Sequence, residues 1–402
     1  MDIAEYKYMD NLFLTHYKEM DQLSVCEDAG RRLEVRKVEN GLVLPYKIVN
    51  GEKRAGVVDN RGSFVELSGF EALSPVDAWG GSYEIEEPVS RREEKVIYFG
   101  RFWKHWGHFL MDMVSRLWYV LENKEPLGIV YDSTVEISGI YLEFLELLGI
   151  RKEQLIRIEI PTVFNQVIIP ECAHKPGIFC SVKYKEIFDR AAEQVLAKAD
   201  EPGKYKGECI YFTRRQLGNR IPMEIGEKEI EDLFRKNGYL VVAPEKYSLT
   251  EQIMMIRESR KAACLSGTLP HNMMFAEDGT ELCIIRKTNK PNYRQVDVNA
   301  IRNLKVVNID AHISLKAVGP AGPFIVDYNQ NVKKYLEDQN MNFEPIGLKQ
   351  HVRRLLKLIW YVPVYFARNK NSKREVPLYI GKEFSTTANA KKELFRFYIK
   401  RL

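Results

Sequence analysis

The sequence has no long apolar run, no paired cysteine pattern and no leader-like N-terminus. No segment approaches the roughly 18 apolar residues that a membrane-spanning helix needs, so no such helix is predicted. Residues 1–5 are acidic and lack an apolar core, which argues against a secretory signal. The six cysteines have no paired spacing, and three lie in or beside predicted buried strands, where a reduced thiol acts as a small apolar side chain. These absences predict a cytoplasmic protein.

The charge of the chain is concentrated at its C-terminal end. Residues 346–402 contain fourteen lysines and arginines against three acids, a net +11, which leaves −6 for the rest of a chain whose total is +5. Between residues 351 and 368, apolar and aromatic side chains alternate with Arg353, Arg354 and Lys357. Basic residues beside an apolar face are typical of a segment that lies on an anionic membrane surface. The sequence therefore predicts peripheral membrane contact; a helix that crosses back onto the first domain is the alternative.

Strands alternate with helices through most of the chain, which predicts an α/β fold with two Rossmann-like domains. The first domain is predicted over residues 95–200 and the second over residues 207–318, joined by a charged stretch that contains proline and glycine. Residues 1–94 carry hairpin signals and are expected to form a β-rich prelude that packs on the first domain. Residues 324–402 are expected to form a helical, basic tail.

Two turns of the second domain are predicted to bind an anion. The strand at 209–212 runs into a basic turn that contains Arg214 and Arg220. The strand at 262–265 runs into Ser266-Gly267-Thr268-Leu269, and a helix is predicted to begin at Pro270. Ligands of parallel sheets bind at the carboxyl ends of the strands, where arginine side chains and free N–H groups favour phosphate. A diphosphate is the predicted ligand.

Two further groups near these turns are weaker candidates. Ser248 and Glu251 have the spacing of a capping box, which is a sufficient structural reason for the glutamate, although it could also contact a nucleotide. Asn272 and His271 fall one turn into the following helix. Asn272 could face the ligand, whereas His271 is predicted to be a surface or cap residue.

A polar stripe marks the helix predicted from about residue 108 to residue 122. His108, Asp112 and Arg116 follow one another at intervals of four residues, so they share one face of an otherwise apolar helix. From the residue types alone, an ion pair between Asp112 and Arg116 explains the stripe.

The motifs together resemble glycosyltransferase family 61 over roughly residues 95–286. The resemblance rests on an ordered series of motifs: Tyr211-Phe-Thr-Arg214, Arg220, Glu227, Pro244-Glu245, Ser248, Glu251-Gln252 and Ser266-Gly267-Thr268-Leu269. The family has serine where this chain has Thr213, and histidine where it has Ser266. Family members also carry a histidine followed four residues later by an acid. The resemblance therefore implies that Asp112 is a general base and that His108 orients it or the acceptor.

The resemblance implies the GT-B arrangement of two Rossmann-like domains that face a cleft. It also implies an inverting transferase that moves a sugar from a UDP-linked donor to a glycan or a lipid-linked glycan in bacterial surface or capsular polysaccharide synthesis. Many transferases hold the donor diphosphate with a metal ion on an Asp-any-Asp pair, and no such pair occurs here. We therefore expect no metal and no cofactor, with Arg214, Arg220 and the residue 266–269 turn as the donor site.

Two alternatives compete with this interpretation. A non-catalytic sugar-nucleotide-binding or scaffold subunit is conceivable because the turn histidine is replaced. A nucleic-acid binder would use the basic tail, but the rest of the chain is acidic and has no recognition motif, so nucleic acid is not an expected partner.

Overall fold

The computed structural model describes residues 3–9, 31–123, 125–216, 224–288, 292–312 and 324–344, together with residues 347, 352 and 356. The strands in these residues are β1 Val35–Val49, β2 Glu52–Val58, β3 Ser90–Arg101, β4 Gly128–Asp132, β5 Leu155–Ile158, β6 Thr162–Pro170, β7 His174–Lys175, β8 Phe179–Cys180, β9 Cys209–Phe212, β10 Glu224–Ile225, β11 Leu240–Val242, β12 Lys261–Leu265, β13 Glu281–Arg286, β14 Lys305–Asp310 and β15 Phe324–Ile325.

A composite helix at 106–122 precedes the regular helices. The regular helices are α1 Ile140–Leu147, α2 Val182–Ala197, α3 Glu227–Lys236, α4 Leu249–Glu258, α5 Tyr293–Ile301 and α6 Gln330–Asp338. Short 3₁₀ turns occur at Ile3–Tyr6, Glu66–Ser68, Lys152–Gln154, Pro244–Lys246 and Leu269–Phe275. Within the described part of the chain, no helix has both the length and the apolar character that crossing a bilayer requires.

The first sheet is mixed and has the strand order β2-β1-β6-β3-β4-β5. Strands β6, β3, β4 and β5 run parallel to one another, whereas β1 is antiparallel to both β2 and β6. The β1–β2 hairpin turns at Asn50-Gly51, where both residues have positive φ (52° and 82°), so the hairpin predicted from this dipeptide is confirmed. Because β1 and β2 belong to this sheet, the first part of the chain extends it instead of forming a separate layer. A purely parallel, Rossmann-like first sheet was expected, and the structure differs in this respect.

The second sheet is fully parallel, with the order β11-β9-β12-β13-β14. Counted along the chain, its strands are therefore arranged 2-1-3-4-5. The direction of winding reverses between β9 and β12, and this switch point is where doubly wound sheets bind their ligands. The carboxyl ends of these two strands lead into the two turns that the sequence singles out.

One hydrophobic core lies between the two sheets. It contains alternate residues of β9, β12 and β13, such as Phe212, Cys264 and Ile284, together with Phe99 of β3 and Ile129 of β4. The intervening residues of the second sheet, such as Tyr211 and Cys283, belong to a separate cluster on its other face. Alternation of this kind is expected for a parallel sheet that is covered on both faces. The fold is therefore α/β, with one mixed sheet, one parallel sheet and a shared core.

Asp132 is a buried carboxyl group at the carboxyl end of β4. Its side chain is 6% exposed overall. One oxygen, Oδ2, accepts a hydrogen bond from the backbone N–H of Tyr46 at 2.8 Å. The other oxygen, Oδ1, is buried and has no hydrogen-bond partner among the described residues. Burial raises the pKa of Asp132 to about 6 from its ordinary value of 3.8.

We expect Asp132→Asn to stabilise the protein at pH 8 and to have little effect near pH 4. Between the ordinary and the raised pKa, the folded protein keeps a proton that the unfolded chain has lost. The stability that this proton provides is therefore lost as pH rises through about 6. The shift corresponds to roughly 3 kcal/mol as an upper estimate. Urea denaturation at both pH values measures the difference.

Asp59→Asn is the matched control, because backbone N–H groups lower the pKa of Asp59 in an exposed turn. The stability that the Asp59 carboxylate provides is present at neutral pH and is lost on acidification. Asp59→Asn should therefore be less stable than the parent protein at pH 8. Equal effects of Asp132→Asn on stability at the two pH values would contradict a raised pKa of Asp132.

Candidate functional site

The composite helix at 106–122 changes its hydrogen-bonding pattern three times. It runs as α over Trp106–His108, as π over Phe109–Met113, as 3₁₀ over Val114–Arg116 and as α again over Trp118–Glu122. A single α-helix was expected, and the structure corrects this. π segments are frequent at functional sites. The carbonyl groups of Leu110 and Met111 receive further hydrogen bonds from Tyr184 Oη (2.5 Å) and His174 Nδ1 (2.8 Å).

Asp112 lies in the π segment and is held from two sides. Its Oδ1 accepts a hydrogen bond from Arg294 Nε at 2.8 Å, and its Oδ2 accepts from Arg294 Nη2 at 3.0 Å. His108 Nδ1 lies 2.5 Å from the same Oδ2. Only 3% of the Asp112 side chain is exposed. Burial alone would raise the pKa of Asp112, but the hydrogen bonds from His108 and Arg294 lower it overall.

Arg294 of α5 was not identified from the sequence, and it replaces the partner that was expected for Asp112. Arg116 was the expected partner, but it instead donates to the backbone carbonyl groups of Leu67, Gly69 and Pro170. An ion pair between Asp112 and Arg116 is therefore wrong. Arg294 is 182 residues from Asp112 along the chain, so no local spacing could reveal the pair.

His108 is the member of this group that reaches solvent, with 29% of its side chain exposed. Its Nδ1 faces Asp112, and among the described residues no partner is found for its Nε2. The rings of His105 and Trp103 lie 4.6 and 5.6 Å from the imidazole. His105 also caps the composite helix, because its Nδ1 accepts the backbone N–H of His108 at 3.3 Å. The outer face of His108 is thus open to a ligand.

A cationic cluster occupies the switch point of the second sheet. Arg214 follows β9, and Lys287 follows β13. Both contact the same carboxylate oxygen, Glu224 Oε1, which is 3.4 Å from Arg214 Nε and 2.6 Å from Lys287 Nζ. Lys287 is 8% exposed, and burial lowers its pKa. Lys287 and Glu224 were not identified from the sequence, although the position of Lys287 directly after a predicted strand was available as a signal.

The turn after β12 brings its backbone against these cations. A side-chain carbon built on Gly267 would lie 3.4 Å from Arg214 Nη1 and 3.5 Å from Lys287 Nζ, and Gly267 has φ of +135°. Glycine is needed here for its positive φ, because both distances are ordinary van der Waals contacts. Ser266 Oγ accepts the backbone N–H of Lys287 at 3.1 Å, so Ser266 fixes the turn. The helix expected from Pro270 is instead a seven-residue 3₁₀ segment, so its positive end is a smaller contribution than predicted.

The Glu227 carboxylate binds the backbone of the basic turn at Arg214. Its Oε1 accepts the backbone N–H of Arg214 at 3.0 Å and lies 3.4 Å from Thr213 Oγ1. The glutamate is 1% exposed, and burial raises its pKa to about 7. The basic turn is therefore anchored by a buried acid at the start of α3.

The group around His108 and the cationic cluster meet at a close contact between Gly107 and Thr268, which we call the junction. A side-chain carbon on Gly107 would lie 2.9 Å from Thr268 Cγ2, so only glycine permits this approach. Beside it, Trp106 Nε1 donates to Asn272 Oδ1 at 2.7 Å. Asn272 is thus engaged in joining the two segments. His271 is 5% exposed, so its prediction as a surface residue is wrong; burial lowers its pKa to about 3.

The remaining sequence candidates have separate outcomes. The capping box is confirmed: Ser248 Oγ accepts the backbone N–H of Glu251 at 3.2 Å, and the Glu251 carboxylate accepts that of Ser248. Leu269 begins the 3₁₀ segment and packs on the shared core. Arg220 lies outside the described residues. Among the described residues, no three His, Cys, Asp or Glu side chains are grouped so that they could hold a metal ion.

The model of the family described as Glycosyltransferase 61 matches residues 106–283, a range that begins at the composite helix and ends in β13. A search of curated proteins found no match. The matched range contains both groups at the junction, with the exception of Lys287 and Arg294. The chain therefore carries a glycosyltransferase family 61 domain and belongs to the glycosyltransferases.

Proposed function

We propose that the protein is an inverting, metal-independent transferase that moves a sugar from a UDP-linked donor to a glycan or lipid-linked glycan in bacterial surface polysaccharide synthesis. The observation that supports the proposal is that two groups of side chains meet at the junction. A cationic turn and a histidine–carboxylate pair come from different parts of the chain and meet where Gly107 contacts Thr268. Glycosyl transfer requires these two functions, leaving-group stabilisation and proton removal, on either side of the sugar.

Arg214, Lys287 and the residue 266–269 turn are the proposed diphosphate site, with Arg220 as a further member. Guanidinium and ammonium groups stabilise the charge that develops on a departing diphosphate. Glu224 neutralises part of this positive charge in the unliganded protein, because one of its oxygens contacts both cations. The diphosphate would therefore take over cations that already converge on one point.

We assign the base to His108 and an orienting role to Asp112, the reverse of what the family resemblance implies. The Asp112 carboxylate is almost fully buried, and Arg294 and His108 occupy both of its oxygens. One lone-pair site of Oδ1 is left without a hydrogen bond, and burial keeps it from an acceptor hydroxyl. A proton on His108 Nδ1, donated to Asp112, leaves Nε2 unprotonated on the exposed side.

In the proposed reaction the acceptor hydroxyl attacks the anomeric carbon and loses its proton to His108 Nε2. The bond between that carbon and the diphosphate oxygen breaks as the new glycosidic bond forms on the opposite face. The diphosphate leaves with the electron pair, next to Arg214 and Lys287. Asp112 stabilises the imidazolium that results.

We also propose that transfer needs no metal ion, because the cationic cluster can neutralise the charge of the leaving group. Activity in excess EDTA tests this, and loss that returns with Mn²⁺ or Mg²⁺ would overturn it. The GT-B arrangement, with domains at 95–200 and 207–318, is likewise a proposal. Two separable unfolding transitions are expected if the domains are independent, whereas a single transition would speak against two units.

The basic tail at 346–402 lies almost entirely outside the described residues. We propose that it holds the enzyme at the inner face of the cell membrane, where a lipid-linked acceptor would be presented. Sedimentation with anionic vesicles should fall at high salt and should be lost in a variant that ends near Gly347. Equal sedimentation of the two proteins would remove this role.

We expect Arg214→Ala and Lys287→Ala each to weaken UDP binding by about 1.5–3 kcal/mol, the range for hydrogen bonds to charged groups. Isothermal titration calorimetry measures the change. Arg215→Ala is the matched control, because the Arg215 guanidinium contacts Glu231 and is absent from the contacts around Gly267. Unchanged affinity in both test variants would refute the diphosphate assignment.

We expect His108→Ala to lower the rate of transfer by about 10²–10⁴-fold with UDP affinity unchanged, since the base acts only on the acceptor. Added imidazole should restore part of the activity. Lys104→Ala, an exposed neighbour, is the control.

Asp112→Asn should also lose turnover, but imidazole should not restore it, because the buried position is still filled by a side chain. If His108→Ala keeps near-normal turnover, or if a small carboxylate such as formate rescues Asp112→Ala better than imidazole rescues His108→Ala, then Asp112 is the base.

A further inference from the structure

The carboxyl edge of the first sheet adjoins His108 and has features that the proposed reaction does not use. β3 ends at Arg101 and β4 ends at Asp132, and these two residues are paired in register. The carboxyl ends of parallel strands in an open α/β sheet form the usual ligand-binding edge. Trp103 and His105 follow β3 directly, so this edge leads into the segment that carries His108.

The charge of Arg101 stabilises the Asp132 carboxylate at longer range, and its guanidinium is stacked on aromatic rings. Its Cζ lies 3.3 Å from the centre of the Tyr46 ring and 5.2 Å from that of Trp103. Rings that cover the faces of a guanidinium leave its N–H groups to point outward in its plane. The side chain is half-buried, and among the described residues no carboxylate lies within 4 Å of it. A planar fork of this kind matches a carboxylate or a phosphate.

The position of Tyr46 depends on two local departures from regular structure. The β1–β2 register shifts between Leu44 and Lys47, so a bulge places Tyr46 at this edge. Its N–H is bound by Asp132, whose other oxygen is buried without a partner. An unsatisfied buried carboxyl group costs stability, and such costs are found where a structure serves binding or catalysis. Asp132 thus fixes the ring on which Arg101 is stacked.

Trp103 connects this edge to the proposed base. Its ring lies between the Arg101 guanidinium, at 5.2 Å, and the His108 imidazole, at 5.6 Å. The indole is half-buried and forms an aromatic face beside the base. Sites for small polar ligands combine aromatic surface with a few placed charged groups that fix the orientation.

We propose that this edge is an acceptor subsite, in which a sugar ring lies on Trp103 and Arg101 binds an anionic group of the acceptor. The group is a carboxylate, as in a uronic acid, or a phosphate, as in a phosphorylated sugar or lipid-linked phosphate. The proposal rests on the proposed function, because it assumes that the attacking hydroxyl lies next to His108. It identifies an acidic saccharide as the class of acceptor.

The test compares matched saccharides that differ only in charge. Methyl β-glucuronide, methyl β-glucoside 6-phosphate and the neutral methyl β-glucoside are titrated into the full chain, with and without UDP, and binding is followed by NMR. We expect at least one anionic saccharide to bind about 10-fold or more tightly than the glucoside. Preference for the glucuronide assigns a carboxylate, and preference for the sugar phosphate assigns a phosphate.

Arg101→Gln should abolish the preference, and Arg101→Lys should keep only part of it, since lysine lacks the planar fork. Trp103→Ala should weaken the binding of neutral and anionic saccharides to the same extent. Arg36→Gln removes the same charge from an exposed position of β1 and should change nothing. UDP affinity of each variant reports whether the fold and the donor site are intact.

Equal binding of the three saccharides by the parent protein, or an undiminished preference in Arg101→Gln, would overturn the subsite. Failure of the proposed function has a different signature, namely absence of UDP binding by the parent protein. In that case, the saccharide titration without UDP still measures the contribution of Arg101 to binding.

Discussion

The buried ion pair between Asp112 and Arg294 is the interaction on which the arrangement of the site depends. Arg294 contacts both oxygens of Asp112, and its Nη2 also lies 3.0 Å from Asp77. The pair joins the composite helix to α5, and the partly exposed side chains of this network are His108 at 29% and Asp77 at 28%. Removing one partner of a buried pair leaves an uncompensated charge, at a typical cost of 3–5 kcal/mol. The geometry of the imidazole and the stability of the junction are therefore linked through one contact.

α5 holds the π segment at a second point, through a chain of hydrogen bonds. Asp297, one turn after Arg294, lies 3.1 Å from His174 Nε2 and accepts the N–H of Gly177. His174 in turn contacts the Met111 carbonyl through Nδ1. The loop that contains His174 is thus part of the support for the composite helix. Residues that position a catalytic group in this way act through packing and hydrogen bonding and do not touch the substrate.

The sequence predicted the parts of the site that depend on local pattern. Strand ends, the basic turn, the Gly267 turn, the hairpin at Asn50-Gly51 and the capping box at Ser248 are each encoded within a few residues, so spacing was sufficient. The partners Arg294, Lys287 and Glu224 come from distant segments, and only the folded chain brings them together. The π segment could not be predicted because its apolar residues have the same spacing as an ordinary helix. The mixed first sheet was missed for a similar reason, since pairing of β1 with β6 is a contact across more than a hundred residues.

Charge balance explains why the two halves of the junction can lie so close. Arg214 and Lys287 are already neutralised in part by Glu224, and Arg294 is neutralised by Asp112. Two unpaired cationic groups at this distance would repel each other across the Gly107–Thr268 contact, where little water can screen them. A diphosphate would enter beside Glu224, and its negative charge would raise the proton affinity of the neighbouring carboxyl groups. Glu227, whose pKa is already about 7, is the group best placed to take up that proton. Binding of the donor diphosphate at this turn, as proposed, would therefore be coupled to protonation of Glu227.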